Sequence, residues 1–298
     1  MDGISFRALG NVLGLSAAAV YLKVTKEMNS LPDNTWLTQT YCNRFCGILV
    51  VDGKYVKVKG YKQKIPFIYG IDYLTHDIPV GILAPSENEE AFLKFFRLLK
   101  ACKYPLRVVI CDDRFALGTA LRYHYPKAKV QLCQNHYIEN IRQALHTRID
   151  PEHVRFFNHV YTYIFGRPQS TNKLYEYLHR ILTTQAKIDP LRQAIIMGIY
   201  KRKKELFQYT QIENCPKDTN LIELYNSHLQ ARLKSIKGFK SFRAAERWLN
   251  AYLIRRRLKP LTDCDSKFRH LNGKCSFERT LKRGESVPAV LGIKHHSG

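Results

Sequence analysis

The densest pattern of apolar positions lies between Gly47 and Val80. Ile48, Leu49, Val50 and Val51 form an unbroken apolar run, which predicts a strand buried on both faces. The run ends in one acid, Asp52, followed by Gly53. Tyr55 to Lys59 alternate in part and predict a second strand, Lys62 to Lys64 a polar turn, and Phe67 to Tyr73 a third strand. The expected unit is a three-stranded antiparallel meander. Two readings of Asp52 stay open. Asp-Gly is a favoured hairpin pair, whereas a carboxylate at the end of a buried strand is costly unless a cation receives it. The second reading points to a metal site shared with other acids.

The flanking patterns extend this unit in both directions. Residues 5–24 predict a helix-turn-helix: Leu9, Val12 and Leu13 form one stripe, Gly14 permits the turn, Ser16 is an N-cap, and Ala19, Val20 and Val24 form a packing side. An ordinary helical hairpin is the alternative, since Ala17, Ala18 and Ala19 offer little with which to read base edges. Only a short segment precedes the first helix, which leaves a stabilising helix or upstream module to lie outside this chain. Residues 25–46 read as a polar connector turning at Pro32-Asp33-Asn34. After the meander, Ser86 is expected to cap a helix from Glu87 to about Cys102. Leu106 to Cys111 predict a short buried strand that runs into Asp112-Asp113. Helices at 115–123 and 135–145 flank a strand at Lys129 to Leu132. Strands joined by helical crossovers describe a mixed α/β sheet with helices packed on it, and ligands collect beyond the carboxyl ends of such strands, where Asp112 falls.

Residues 148–214 lose the β pattern and predict an all-helical insertion, broken at Gly166-Arg167-Pro168 and Asp189-Pro190. Lys201 to Lys204 form a charge run, read either as a solvated face or as phosphate contacts. From Thr219, the positions Ile222, Tyr225, Leu229, Leu233 and Ile236 make a core-facing helical stripe. Glu223 lies at the edge of that stripe, either solvated or reaching inward. A last helix covers Phe242 to about Leu258 and ends in Arg255-Arg256-Arg257, and an irregular tail is expected from there to Gly298.

Composition adds a strong charge. Lys and Arg number 48 against 25 Asp and Glu, a net charge of +23, and the pI is near 9.7. The bases are spread along the chain, which points to a phosphate backbone as partner, although a ribosomal or anionic-membrane protein shares this balance. Eight scattered cysteines suit reduced thiols in the cytosol. Neither a signal pattern nor a membrane-length apolar window occurs, so a soluble intracellular protein is expected, with no membrane partner. Cys42 and Cys46 have no clear partner pair nearby for a zinc site, and the spacing of Cys264, His270 and Cys275 matches no common one.

Three segments in order carry a resemblance: VVDGKY around Asp52; VVICDD through VQLCQNHYIENI, with Cys133, His136 and Asn140; and TNLIELYNSHLQARLKSIKGF around Glu223. Over roughly residues 45–260 the chain resembles the Mutator-type transposases of bacterial and archaeal insertion sequences. The resemblance implies an RNase H-like core, three antiparallel strands then two parallel, with helices on both faces. It implies a catalytic and metal-binding triad of Asp52, Asp112 and Glu223. Asp113 stands where the family usually has Gly, which leaves Asp113 as the competitor of Asp112. His136 is expected to face the active site or the DNA, with Cys133 and Asn140 in support; zinc at Cys133 and His136 is disfavoured because Cys42 and Cys46 lie at the opposite ends of neighbouring strands. The implied cofactor is two Mg²⁺ ions, with Mn²⁺ able to substitute, because three carboxylates suit hard cations at an in-line phosphoryl displacement.

The implied organisation is a helix-turn-helix at 1–28, a linker at 29–46, a catalytic core at 47–147 and 215–260 interrupted by the insertion at 148–214, and the tail at 261–298. The implied partners are double-stranded DNA (terminal inverted repeats and target DNA) and further copies of the chain, in a dimer or higher multimer on DNA. The implied setting is a prokaryotic cytoplasm, associated with the nucleoid when bound to DNA. Expected DNA contacts are Ser16, Lys23, Lys234, Lys237, Lys240, Arg243, Arg255, Arg256 and Arg257. A nuclease or resolvase without joining activity, and a non-catalytic DNA-binding derivative, are the alternatives.

Overall fold

The computed structural model describes residues 4–148, 150–166, 171–184 and 189–291. Arg167 and Pro168, at the expected break in the insertion, lie outside the described residues, as do 1–3 and 292–298 of the expected terminal segments. In chain order the elements are α1 (Phe6–Leu13), α2 (Ala17–Ser30), α3 (Asn34–Tyr41), β1 (Ile48–Val56), β2 (Ile65–Asp72), β3 (Val80–Leu83), α4 (Glu89–Ala101), β4 (Val108–Cys111), α5 (Phe115–His124) and β5 (Lys129–Leu132). There follow α6 (Gln134–Ala144), α7 (Pro151–Val160), a π-helical turn (Tyr161–Phe165), α8 (Thr171–Thr184), α9 (Pro190–Leu206), α10 (Asn220–Leu233), α11 (Phe242–Leu258) and α12 (Ser276–Thr280). The chain is mixed α/β and divides into two compact units. One comprises Met1–Leu106, Ala116–Pro126 and Asn220–Gly298; the other comprises Arg107–Phe115 and Lys127–Thr219.

The first unit is built on the meander of β1, β2 and β3, all antiparallel. Its boundaries differ from those expected. β1 does not end at Asp52 but runs on to Val56, with Asp52 opposite Tyr69 and Gly53 opposite Ile68. Asp-Gly therefore lies within a strand and makes no hairpin. Of the residues expected to form a second strand, Tyr55 and Val56 end β1, Val58 makes an isolated bridge to Phe239 and Lys59 lies in a turn; the expected third strand is β2, and Val80–Leu83 completes the meander. The turn-forming preference of Asp-Gly is overridden because both flanks pair with one long partner strand. Ile48 to Val51 are buried, as the apolar run predicts. Asn88, not Ser86, caps α4 through its side chain, with Glu89 and Glu90 in the first turn.

Three other expectations are corrected in this unit. The polar connector contains a helix, α3, capped by Asp33. Its polar residues Asn34 and Thr38 are buried because they bond inward, Asn34 to the Ile78 carbonyl and Thr38 to the Pro79 carbonyl. The tail beyond 260 is folded as far as Leu291, with Phe268, Leu271, Phe277 and Leu281 buried. At the N-terminus, Ser5 and Ser16 cap α1 and α2, and Gly14 turns between them at a φ of 64° that suits glycine. The chain bends by 102° there, within the range of helix-turn-helix units. α2 runs on to Ser30, and Val12 and Leu13, expected to pack, are exposed.

The second unit pairs β4 and β5 in parallel, Cys111 level with Leu132. Helices α6 to α9 share one core with this pair, from Leu132 and Ile141 through Phe157 and Leu178 to Leu206. Two buried amides tie the end of α9 to β5 and to the start of α6: Gln131 and Gln134 both donate to the Leu206 carbonyl, at 3.0 and 2.9 Å. Among the described residues no strand occurs between 148 and 214, and no single helix is long and apolar enough to cross a membrane.

Candidate functional site

In the first unit, the pleat of β1 brings the Asp52 carboxylate to α10. Its Oδ1 accepts from the Gly53 amide at 2.7 Å, and its Oδ2 accepts from the Asn226 carboxamide at 2.6 Å. Asn226 is buried, and its Oδ1 accepts from the Tyr69 hydroxyl at 2.8 Å. Burial pushes the Tyr69 phenol well above its usual range, so it stays a donor. The Tyr69 hydroxyl, the Asn226 carboxamide and the Gly53 amide thus form a set of donors that orients the carboxylate. Glu223 sits in the first turn of the same helix, one turn before Asn226, and is exposed. Ile222, Tyr225 and Leu229 are buried as the stripe predicts, while Leu233 and Ile236 are half-buried. Asn226 was not among the expected residues. The signal for it was a polar side chain on an otherwise apolar helical stripe.

In the second unit, Asp112 and Cys133 occupy the positions just beyond the carboxyl ends of β4 and β5, and the Cys133 amide donates to the Cys111 carbonyl at 2.8 Å. Cys133 is also the N-cap position of α6, so His136 emerges one turn along that helix. Its Nδ1 lies 2.6 Å from Asp112 Oδ1. Asp112, Cys133 and His136 bring ligand atoms within 4.8 Å of one another. Asn140, a further turn along α6, lines the same concavity with Tyr137 and Arg114. The Cys133 thiol accepts from the Thr219 hydroxyl at 3.1 Å, and burial holds its pKa above the usual value. Asp113 points elsewhere: it forms an ion pair with Arg202, which also meets Glu205 at 2.9 Å. Of the two adjacent acids, Asp113 is engaged by a guanidinium and Asp112 by an imidazole.

The donor sets bear on metal binding. Asp52 offers carboxylate oxygens oriented by Asn226 and the Gly53 amide, which fits a hard divalent cation. Asp112 fits as well, with nitrogen and sulfur donors beside it that would also accept a softer ion. Asp113, paired with Arg202, does not fit. The thiols of Cys42 and Cys46 instead face Arg257 and Asp72.

The expected phosphate contacts divide. Lys234 and Lys237 line a concavity with Lys57 and Lys64, two lysines that sequence reasoning missed. Lys23, Lys240 and Arg243 are exposed, and Lys240 Nζ stands 5.6 Å over the Tyr21 ring of α2. Arg255 and Arg256 are half-buried, with Arg256 stacked 4.4 Å over Tyr225. Ser16 uses its hydroxyl to cap α2. Arg257 is 1% exposed and cannot touch phosphate. It forms a two-pronged ion pair with Asp77, both contacts at 2.7 Å, and donates to Asn34 and Thr38.

Comparison with known proteins gives one family. The family described as "Transposase, Mutator family" matches residues 12–257. Two curated relatives are transposases for insertion sequence element IS256 in transposon Tn4001, from Staphylococcus aureus and from Enterococcus faecalis. Each is 24% identical over 274 residues, covering 85% of this chain and 67% of the relative. Among solved structures, the Drosophila P element transposase strand transfer complex aligns with 82% of this chain and 86% of its own, at 10% identity and a TM-score of 0.48.

Proposed function

The chain belongs to the Mutator family of transposases, and on that premise we propose that it cleaves DNA at the ends of its element and joins the released 3′ ends to target DNA, with Asp52, Asp112 and Glu223 as the essential carboxylates on an RNase H-like core. The observation that carries this reading is the clamp in the first unit. A half-buried acid on a buried strand is oriented by Asn226, from the helix that presents Glu223 one turn earlier. A carboxylate held in one orientation by a carboxamide and a backbone amide is set for a cation to receive, which suits a metal ligand better than a turn residue.

Bound Mg²⁺, or Mn²⁺ in its place, would stabilise the attacking and leaving oxygens at phosphorus as a Lewis acid. The side chains of the chain itself prepare for that. Asn226 and the Gly53 amide fix the Asp52 carboxylate. His136 holds one oxygen of Asp112, and the N-terminus of α6 lies beside that acid with its positive dipole end. Lys57, Lys64, Lys234 and Lys237 supply a concave basic surface for the DNA backbone, with Lys23, Lys240, Arg243, Arg255 and Arg256 as further phosphate contacts. The paired helices α1 and α2 are the candidate reader of the element's terminal repeats. Bridging two ends calls for two or more copies, acting in the cytoplasm where the DNA lies.

The test is a plasmid assay that scores cleavage and joining separately. Asp52→Ala, Asp112→Ala and Glu223→Ala are each expected to abolish both, with duplex binding retained; Asp113→Ala is expected to keep cleavage. Near-parental cleavage by any of the first three removes that acid from the site. Cleavage without joining in the parent would identify a nuclease, and neither activity a DNA-binding derivative.

A further inference from the structure

The helical part of the second unit carries a surface that this chemistry leaves unused. The turn Tyr161–Phe165 continues α7 as a π-helix, a local widening found mostly at functional sites. It sends Ile164 and Phe165 into the core and leaves Tyr161 and Tyr163 48% and 38% exposed. Beside it, three rings from two helical segments form one layer. The centroids of His159 and Tyr163 are 4.6 Å apart, and those of Tyr163 and Tyr177 6.4 Å, at interplanar angles of 38° and 29°. His159 and the Tyr177 hydroxyl share a hydrogen bond that holds the layer together.

Cations share the helix faces that carry the rings. On α8, Lys173, Tyr177 and Arg180 follow one another at four- and three-residue steps and so share a face. The Arg180 guanidinium stands 5.6 Å over the Tyr177 ring. On α7 and its continuation, Arg155, His159 and Tyr163 follow at four-residue steps. Rings that are exposed at His159 and Tyr163 and half-buried at Tyr177, interleaved with cations, match one ligand chemistry well: bases that stack on the rings while their phosphates meet the cations. Inside a duplex each base is covered on both faces by its neighbours, so away from the duplex ends only an unpaired nucleotide can offer a face to Tyr163. A second copy fits less well, because a two-fold contact would set the same patch against itself and bring Arg155, Lys173 and Arg180 against like charge.

We propose that His159, Tyr163 and Tyr177 form a stacking platform for unpaired bases of a DNA strand, with Arg155, Lys173 and Arg180 on its phosphates. The proposal rests on the reading that the chain acts on DNA, and on none of the three carboxylates. Its test uses the full chain in EDTA, so that no cleavage is required. The probes are a single strand of about twelve nucleotides carrying 2-aminopurine and a blunt duplex of the same sequence. Stacking should change the 2-aminopurine signal of the single strand. The double variant Tyr163→Ala/Tyr177→Ala should weaken single-strand binding about tenfold, with duplex binding nearly unchanged, and Tyr163→Phe/Tyr177→Phe should restore it. Thermal melting of each variant checks that the unit is folded. Equal losses on both probes, or none on the single strand, would overturn the platform. So would a changed molar mass in light scattering with single-strand affinity intact, which would identify a contact between copies. Failure of the carboxylate variants to stop cleavage would leave this result unaffected.

Discussion

Arg257 shows how far a basic residue's role depends on what surrounds it. Its guanidinium is shared among Asp77, Asn34 and Thr38 and lies 4.6 Å over the Phe277 ring. Asp77 in turn accepts from the Thr280 hydroxyl at 2.6 Å. Removing one member of such a buried pair leaves the other charge unsolvated, so Arg257→Ala should cost about 3–5 kcal/mol in denaturant unfolding. Arg255→Ala should leave stability nearly unchanged and instead weaken DNA binding. His76 gives a second prediction at this scale. Burial, then the cations Arg256, Arg279 and His270, push its pKa down to about 4. Between the unfolded value of 6.5 and about 4, the unfolded chain binds a proton that the folded chain refuses, so stability falls as pH falls through that window. The loss is at most about 3 kcal/mol. His76 has a φ of 59°, a conformation asparagine tolerates, so His76→Asn should flatten the slope of melting temperature between pH 6.5 and 4.5. An unchanged slope would remove His76 as the cause.

Between elements, the junction of β1, β2 and α10 is the one on which the candidate site depends. Asn226→Ala removes the amide that orients Asp52, and loss of such a supporting bond typically costs about 10–100-fold in metal affinity. Calorimetric titration with Mn²⁺ would read this directly, and Tyr69→Phe should shift it in the same direction by less. Much of this junction was legible in the sequence, in the buried run of β1 and the stripe of α10; in the second unit, so was the placement of Asp112 at the end of a strand. The continuation of β1 through Asp52-Gly53 was not, because a turn-forming dipeptide carries no sign of the long strand that pairs across from it. α3 was hidden for a related reason. Its Asn34 and Thr38 read as solvent-facing until Arg257 and the carbonyls of residues 78 and 79 are known to receive them. The division of labour between Asp112 and Asp113 was equally illegible, since it depends on Arg202, 89 residues downstream of Asp113.

For the whole molecule, the net charge of +23 implies that DNA affinity falls steeply with salt, each phosphate neutralised contributing close to one unit to the log–log slope. Lys234→Ala combined with Lys237→Ala should reduce that slope by about two units, measured by anisotropy across a salt series. The order of the chain has a separate effect on how the molecule is made. The first unit is assembled from three stretches, while the second is nearly continuous from residue 127 to residue 219. The bond between Asp77 and Arg257 spans 180 residues, and the Thr280 contact to Asp77 spans 203. During synthesis the second unit can therefore close while the meander still waits for partners that have not left the ribosome. The β1–β3 meander stays exposed through that interval, at about 5–20 residues per second, and chaperone demand should concentrate there.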